Sequence, residues 1–292
     1  MRPLQVEVGI VYIMLPFIFA LFYARIIYIL LTKDKYRKLQ CYRIMTQIGI
    51  LQCGMAPCFA AVGVVQLLDD DYLNICSHLT KFASAFVTAE PVLSFVLSLD
   101  RLRIICRLRL PQSIDLVVLV CGYLLGLAYL VLLFTPYVGY GLKPGLFLPI
   151  FDMEKPLSYL VHRIASCIII VFVVLNLIVY LVVIAYILKM QFKFTQGANS
   201  VLSKQEQPIL IYAIIRFLFD FTVTIIYTLV QLDPNQLILF CLGMGYAINN
   251  ILLPTVLLLT INKTLRQDYL PKAQDRVVAM RGTSRTSVYA QP

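Results

Sequence analysis

Residues 164–188 read IASCIIIVFVVLNLIVYLVVIAYIL, a run without one acidic or basic side chain. About 20 apolar residues in a helix cross the roughly 30 Å hydrocarbon layer of a bilayer. This run is apolar on every face rather than along one stripe, so it does not fit a helix lying half in water. Six further stretches share its character, at 8–31, 44–68, 82–105, 114–134, 209–232 and 237–261. The third is begun after Lys81 because His78 and Lys81 are polar and better left at an interface. The fold these runs predict is all-α, a bundle of seven transmembrane helices. A β-barrel is excluded because no ten-residue alternation of polar and apolar positions occurs.

Composition agrees. Apolar residues make up 60% of the 292 and charged ones only 14%, a balance that in water would leave large exposed hydrocarbon patches. The net charge of +10 does not point to nucleic acid, because the cations lie between the spans, where they meet lipid headgroups. The lipid bilayer is therefore the first partner the sequence implies.

Lys and Arg also set the direction. Eighteen of them, from Lys33 through Arg109 and Lys204 to Arg285, fall in the loops and tail of one side, against Arg2, Lys81, Lys143, Lys155 and Arg163 on the other. The richer side is expected in the cytoplasm, with the amino terminus outside and the carboxyl terminus inside. Residues 1–270 are read as the transmembrane domain, ending in a short amphipathic helix over 262–270 that stops at Pro271. Residues 271–292 are read as a basic cytoplasmic tail, disordered by composition. The one long loop, 136–163, is rich in Pro, Gly and aromatic residues and is expected to form an ordered cap over the outer mouth.

Seven of the eight cysteines fall within or at the ends of spans and read as reduced packing residues. Cys76 lies near the outer surface, and the 136–163 loop holds no cysteine to pair with it.

An ionised side chain in the bilayer costs at least about 2.5–3.5 kcal/mol, so each needs a partner or a purpose. Arg25 is close enough to the cytoplasmic interface to reach it. Glu90, Arg216, Asp220 and Asn250 are not. Glu90 stands ten residues from Asp100, about 15 Å along a helix and so near the midplane. Arg216 and Asp220, four residues apart, share a helix face and suit a local ion pair. The alternatives are an interhelical pair between Arg216 and Glu90, which a ligand could remake, and a neutral Glu90. Pro91 and Pro254 each free a backbone carbonyl one turn earlier and are expected to kink the third and seventh helices, with Asn249 and Asn250 beside the second kink.

Leu99-Asp100-Arg101-Leu102-Arg103 stands at the cytoplasmic end of the third span. There it resembles the Asp/Glu-Arg motif of G-protein-coupled receptors. Asn250-Ile-Leu-Leu-Pro254, followed by Thr260-Ile-Asn-Lys-Thr-Leu-Arg266, resembles a degenerate form of their helix-seven motif and its following amphipathic helix. The Tyr after the Pro, any Trp, a Pro in the sixth span and a loop cysteine are missing, which separates the chain from typical rhodopsin-class receptors. Cys41-Tyr42-Arg43-Ile44-Met45, opening helix two, is similar to the sequence found there in members of the serpentine chemoreceptor families of nematodes. That resemblance spans most of the chain up to Arg266. It implies a chemosensory, olfaction-type receptor, not an enzyme and without a cofactor. Its partners would be a small-molecule ligand and a heterotrimeric G protein met by Asp100, Arg101 and Arg103. Its place would be the plasma membrane of a sensory cell or its cilium.

Three other functions compete with this one. A zinc hydrolase needs several converging ligands, and the only histidines are His78 and His162 near the outer boundary. A retinal protein needs a Lys in the seventh span, which has none. A secondary transporter using Glu90, Arg216 and Asp220 as a midplane site is the serious alternative, but the chain shows no internal repeat of the kind common in transporters. Topology is directly testable: tags at the amino terminus and after Asp70 should be reached from outside intact cells and a tag after Arg281 should not. An externally accessible carboxyl tail overturns the assignment.

Overall fold

Seven helices long and apolar enough to span a bilayer are present in the computed structural model, which describes residues 3–109, 111–142, 145–193, 206–230 and 236–270. The first six spans are α1 (Pro3–Thr32), α3 (Gln40–Leu68), α4 (Ile75–Cys106), α5 (Gln112–Phe134), α6 (Ser158–Lys193) and α7 (Glu206–Val230). The seventh is built from α8 (Gln236–Ala247), a π-helical segment (Ile248–Leu252) and α9 (Leu253–Ile261). A short α2 (Asp34–Arg37) joins the first two spans, and α10 (Lys263–Tyr269) follows the seventh. The 271–292 tail lies outside the described residues.

The third span occupies the centre, packing on α3, α5 and α6, while the seventh returns to α1 and α3 and closes the ring. Phe17, Leu21, Tyr28 and many other large apolar side chains point outward, as expected where lipid is the solvent.

The start of α4 differs from the hydropathy boundary by about two turns. His78 and Lys81, taken as interface residues, are both helical. The reason is Phe134 at the end of α5: His78 stacks on its ring and the Lys81 ammonium lies 4.7 Å from the ring centre, so each polar group has an aromatic partner. Asp71 supplies the rest, accepting from the Cys76 and Ser77 backbone N–H groups at 2.9 and 3.0 Å and from the Ser77 hydroxyl at 2.6 Å. These contacts satisfy amide donors that a helix start leaves unpaired.

The long loop forms a cap. Strand β1 (Gly139–Gly141) pairs antiparallel with β2 (Ile150–Asp152), Tyr140 facing Phe151. The Tyr12 hydroxyl donates to the Phe147 carbonyl at 3.2 Å, and the Gln66 amide to the Leu146 carbonyl at 2.6 Å. All eight cysteines are free, so hydrogen bonds and the buried Phe147 ring hold the loop where a disulfide is absent.

Close backbone approach fixes α1 against α3. A Cβ on Gly63 would lie 2.6 Å from the Gly9 carbonyl oxygen, and one on Gly9 would lie 2.9 Å from that of Gly63. Small residues let helices approach this closely in lipid. Gly63→Ala should therefore destabilise by about 1–3 kcal/mol, the usual range for overpacking. Cys76→Ala should keep the fold, because no bridge is lost. Thermal unfolding of the purified variants checks both; a wild-type midpoint for Gly63→Ala or failure of Cys76→Ala to fold contradicts this packing.

Candidate functional site

Arg216, on α7, is 5% exposed, and protein groups surround its charge. Its Nη2 donates to Glu90 Oε1 on α4 and, at 3.3 Å, to Asn250 Oδ1. Its Nη1 donates to the Asn249 carbonyl at 2.9 Å. Asp220 Oδ2 lies 3.6 Å from Nε, an ion pair without hydrogen-bond geometry. Both pairings open in the sequence thus coexist, and the interhelical one is the closer.

Glu90 also accepts from Gln52 Nε2 at 2.5 Å, and Gln52 Oε1 accepts from the Tyr23 hydroxyl at 2.8 Å. One hydrogen-bonded chain therefore crosses the first, second, third, sixth and seventh spans. Sequence reasoning missed Gln52 and Tyr23. The available signal was Gln52 itself, an amide that is fully buried and had to find partners on both sides.

The Asn249 carbonyl is free for a structural reason. In the π segment the Leu253 N–H reaches back to the Ile248 carbonyl, one residue beyond the α-helical partner. The Asn249 carbonyl then needs the N–H of residue 254, and proline has none. Arg216 supplies the missing donor. Pro254 thus acts together with a π segment that the sequence did not reveal. Pro91 is contained in an uninterrupted α4, where its carbonyl accepts from Asn176 Nδ2 of α6 at 3.3 Å.

Two neighbouring cavities adjoin this network. One, of about 80 Å³, is lined by Glu90, Arg216, Asp220, Asn249, Asn250 and Asn176 among aromatic side chains. The other, of about 110 Å³, lies beneath the hairpin and is lined by Tyr129, Tyr140, Phe151 and His162. Tyr227 and Tyr246 line both. Volumes of this size exceed what a single water needs.

At the far end of α4, Arg101 Nη2 meets Asp100 Oδ2 at 2.5 Å, both side chains being almost fully buried. Arg103 turns elsewhere, to Asp115 Oδ2 at 2.6 Å in the first turn of α5, an oxygen that also accepts from Gln40 Nε2 at 2.7 Å. This clamp ties the second, third and fourth spans and had no counterpart in the sequence reading. Nearby, Asn262 caps α10 by accepting from the Leu265 N–H at 3.0 Å. Arg25 donates to the Tyr269 carbonyl at 2.8 Å, so it has a protein partner as well as access to the interface. Asp268 of α10 accepts from Lys33, Lys35 and Tyr36. Partial burial opposes its charge, but those donors outweigh it and hold the carboxyl down at about 2. The stabilisation from that depressed value is fully present above the usual carboxylate range, declines as pH falls below it, and is lost once pH has fallen through about 2.

The family model described as serpentine type 7TM GPCR chemoreceptor Srt matches residues 3–279. Among solved structures, squid rhodopsin superposes with a TM-score of 0.68 over 99% of this chain and 92% of its own, at 10% identity, a likeness of fold. No curated protein sequence matches.

The charge arithmetic at the hub gives an asymmetric expectation. Arg216→Met leaves two carboxylates with no cation and should cost about 3–5 kcal/mol, as for a broken buried pair. Glu90→Gln leaves Arg216 balanced by Asp220 and should cost distinctly less. Equal losses in thermal unfolding would show that Asp220 carries no share of the balance.

Proposed function

We propose that this chain, which belongs to the serpentine type 7TM GPCR chemoreceptor Srt family, detects a small molecule in the outer half of its bundle and activates a heterotrimeric G protein. It is a multi-pass membrane protein with a receptor fold. The proposed orientation, from the distribution of Lys and Arg, puts the amino terminus and hairpin outside and α10 with the basic 271–292 tail in the cytoplasm. The proposed location is the plasma membrane, in a sensory cell its cilium.

The observation that carries the reading is the bond set of Arg216, which joins the third, sixth and seventh spans at the wall of a cavity. A ligand that interacts differently with two arrangements of those helices shifts the balance between them. Such a shift reaches the opposite end through α4, which carries Glu90 at mid-length and Asp100-Arg101 about 15 Å further along the helix. In the resting arrangement Asp100 holds Arg101. In the active one Arg101 is released to face the G protein, with Arg103 and Asp115 keeping the neighbouring loop in register. Glu90, Arg216, Asp220 and Asn250 are the proposed ligand or switch residues.

A transporter would place substrate at the same charged cavity, and the two differ in output: vesicle flux for the one, guanine-nucleotide exchange for the other. Asp100→Asn should raise basal exchange at matched surface expression, because the restraint on Arg101 is weakened. The double variant Asp100→Asn/Arg101→Gln removes both buried charges and should fall to background while still reaching the surface. Basal exchange in the double variant as high as in the single one contradicts a coupling role for Arg101.

A further inference from the structure

The cavity beside Arg216 carries a surplus of carboxylate, and its hydrogen bonding leans the same way: one buried donor, Arg216 Nε, is unmet, against two buried acceptors. Its charged lining is Glu90, Asp220 and Arg216, two carboxylates to one guanidinium. Glu90 is engaged by Arg216 and Gln52, whereas Asp220 keeps one oxygen 3.6 Å from Arg216 Nε and is the most exposed of the three. Two amides on the same wall are left with an acceptor. Asn176 is 3% exposed and Asn249 2%, and the Oδ1 of each lacks a hydrogen-bond partner. Amide flips do not remove this: Asn176 Nδ2 donates to the Pro91 carbonyl and Asn249 Nδ2 to Asp220, and both of those partners only accept. A buried acceptor costs about 1–3 kcal/mol while unmet.

We propose that this cavity binds a protonated amine, with Asp220 as its counter-ion, Asn176 Oδ1 and Asn249 Oδ1 as acceptors, and the apolar remainder of the ligand directed toward the aromatic chamber under the hairpin. An ammonium carries one positive charge and several N–H donors and no acceptor, the complement of this wall. Tyr227 and Tyr246, which line both chambers, bring aromatic rings beside it, and an aromatic face attracts a cation. An anion meets a second carboxylate, and a neutral alcohol leaves Asp220 uncompensated. The inference rests on the receptor reading only for its consequence, signalling.

The test uses purified full-length protein in nanodiscs and two shape-matched series: 2-phenylethylamine, 2-phenylethanol and phenylacetate, and hexylamine, hexanol and hexanoate. The amines should raise the unfolding midpoint saturably, with affinity at least tenfold above the matched alcohol and carboxylate. Asp220→Asn, which leaves one carboxylate to one guanidinium and so burdens folding least, should weaken the amines at least tenfold; Asn176→Leu should weaken them about fivefold. Equal or better binding of an alcohol or carboxylate, amine binding indifferent to Asp220→Asn, or no shift with any probe, as when waters alone meet these acceptors, overturns the proposal. Nucleotide exchange separates the two readings. Amine binding without exchange defeats the receptor and leaves the site. Exchange driven by alcohols with amines inert defeats the site and leaves the receptor.

Discussion

A guanidinium enclosed by helices in lipid has nowhere to send its charge except to other helices, and Arg216 organises the middle of this bundle on that account. Its donors collect a carboxylate from α4, a main-chain carbonyl and an amide from the seventh span, and a looser carboxylate from its own helix. Bonds of this kind break even at best against apolar packing, and their removal one partner at a time is costly. What they specify is register. Sliding α7 or α4 by one turn would leave a buried ion unpaired, so the third, sixth and seventh spans are locked in depth as well as in position.

The seventh span adapts to that requirement through its backbone. The π segment and Pro254 together release the Asn249 carbonyl, and the freed acceptor is where Arg216 donates. Irregular backbone at membrane depth is tolerated where protein groups satisfy it. Such a segment has a regular α-helical alternative, reached by returning the Leu253 N–H to the Asn249 carbonyl. That exchange would compete with Arg216 for the same oxygen, so the local helix type and the interhelical bond are linked.

Hydropathy made the seven spans legible because the pattern is a bulk property of many side chains. Their ends were less so. The apolar sum stops at Phe82, yet α4 begins at Ile75 because Phe134, distant in sequence, offers a ring to His78 and Lys81. The charged hub was legible for its ions, since Glu90, Arg216 and Asp220 are conspicuous in lipid. Gln52 and Tyr23 were not, because neutral polar residues are common in spans and only three-dimensional placement joins them to Glu90. The Asn249 carbonyl was invisible for a deeper reason: every residue has one, and its release depends on a helix type that no single side chain announces. Asp100, Arg101 and Arg103 were all named from one short motif, but the bond of Arg103 to Asp115 depends on the next span and was not legible.

The distribution of charge separates structural pairs from the cavity. Toward the α10 end, the buried ions described are matched one to one: Asp100 with Arg101 and Asp115 with Arg103. Asp268 meets two lysines, but those side chains are exposed and solvent carries the excess. At mid-depth the ratio is two carboxylates to one guanidinium, and the two unmet amide acceptors outnumber the one unmet donor, Arg216 Nε. A bundle under selection only for packing has no reason to keep an unmatched carboxylate at the depth where it is most expensive. The position of the mismatch, on a cavity wall rather than between two packed helices, is what a binding site requires: a cost carried by the empty protein that the right occupant removes.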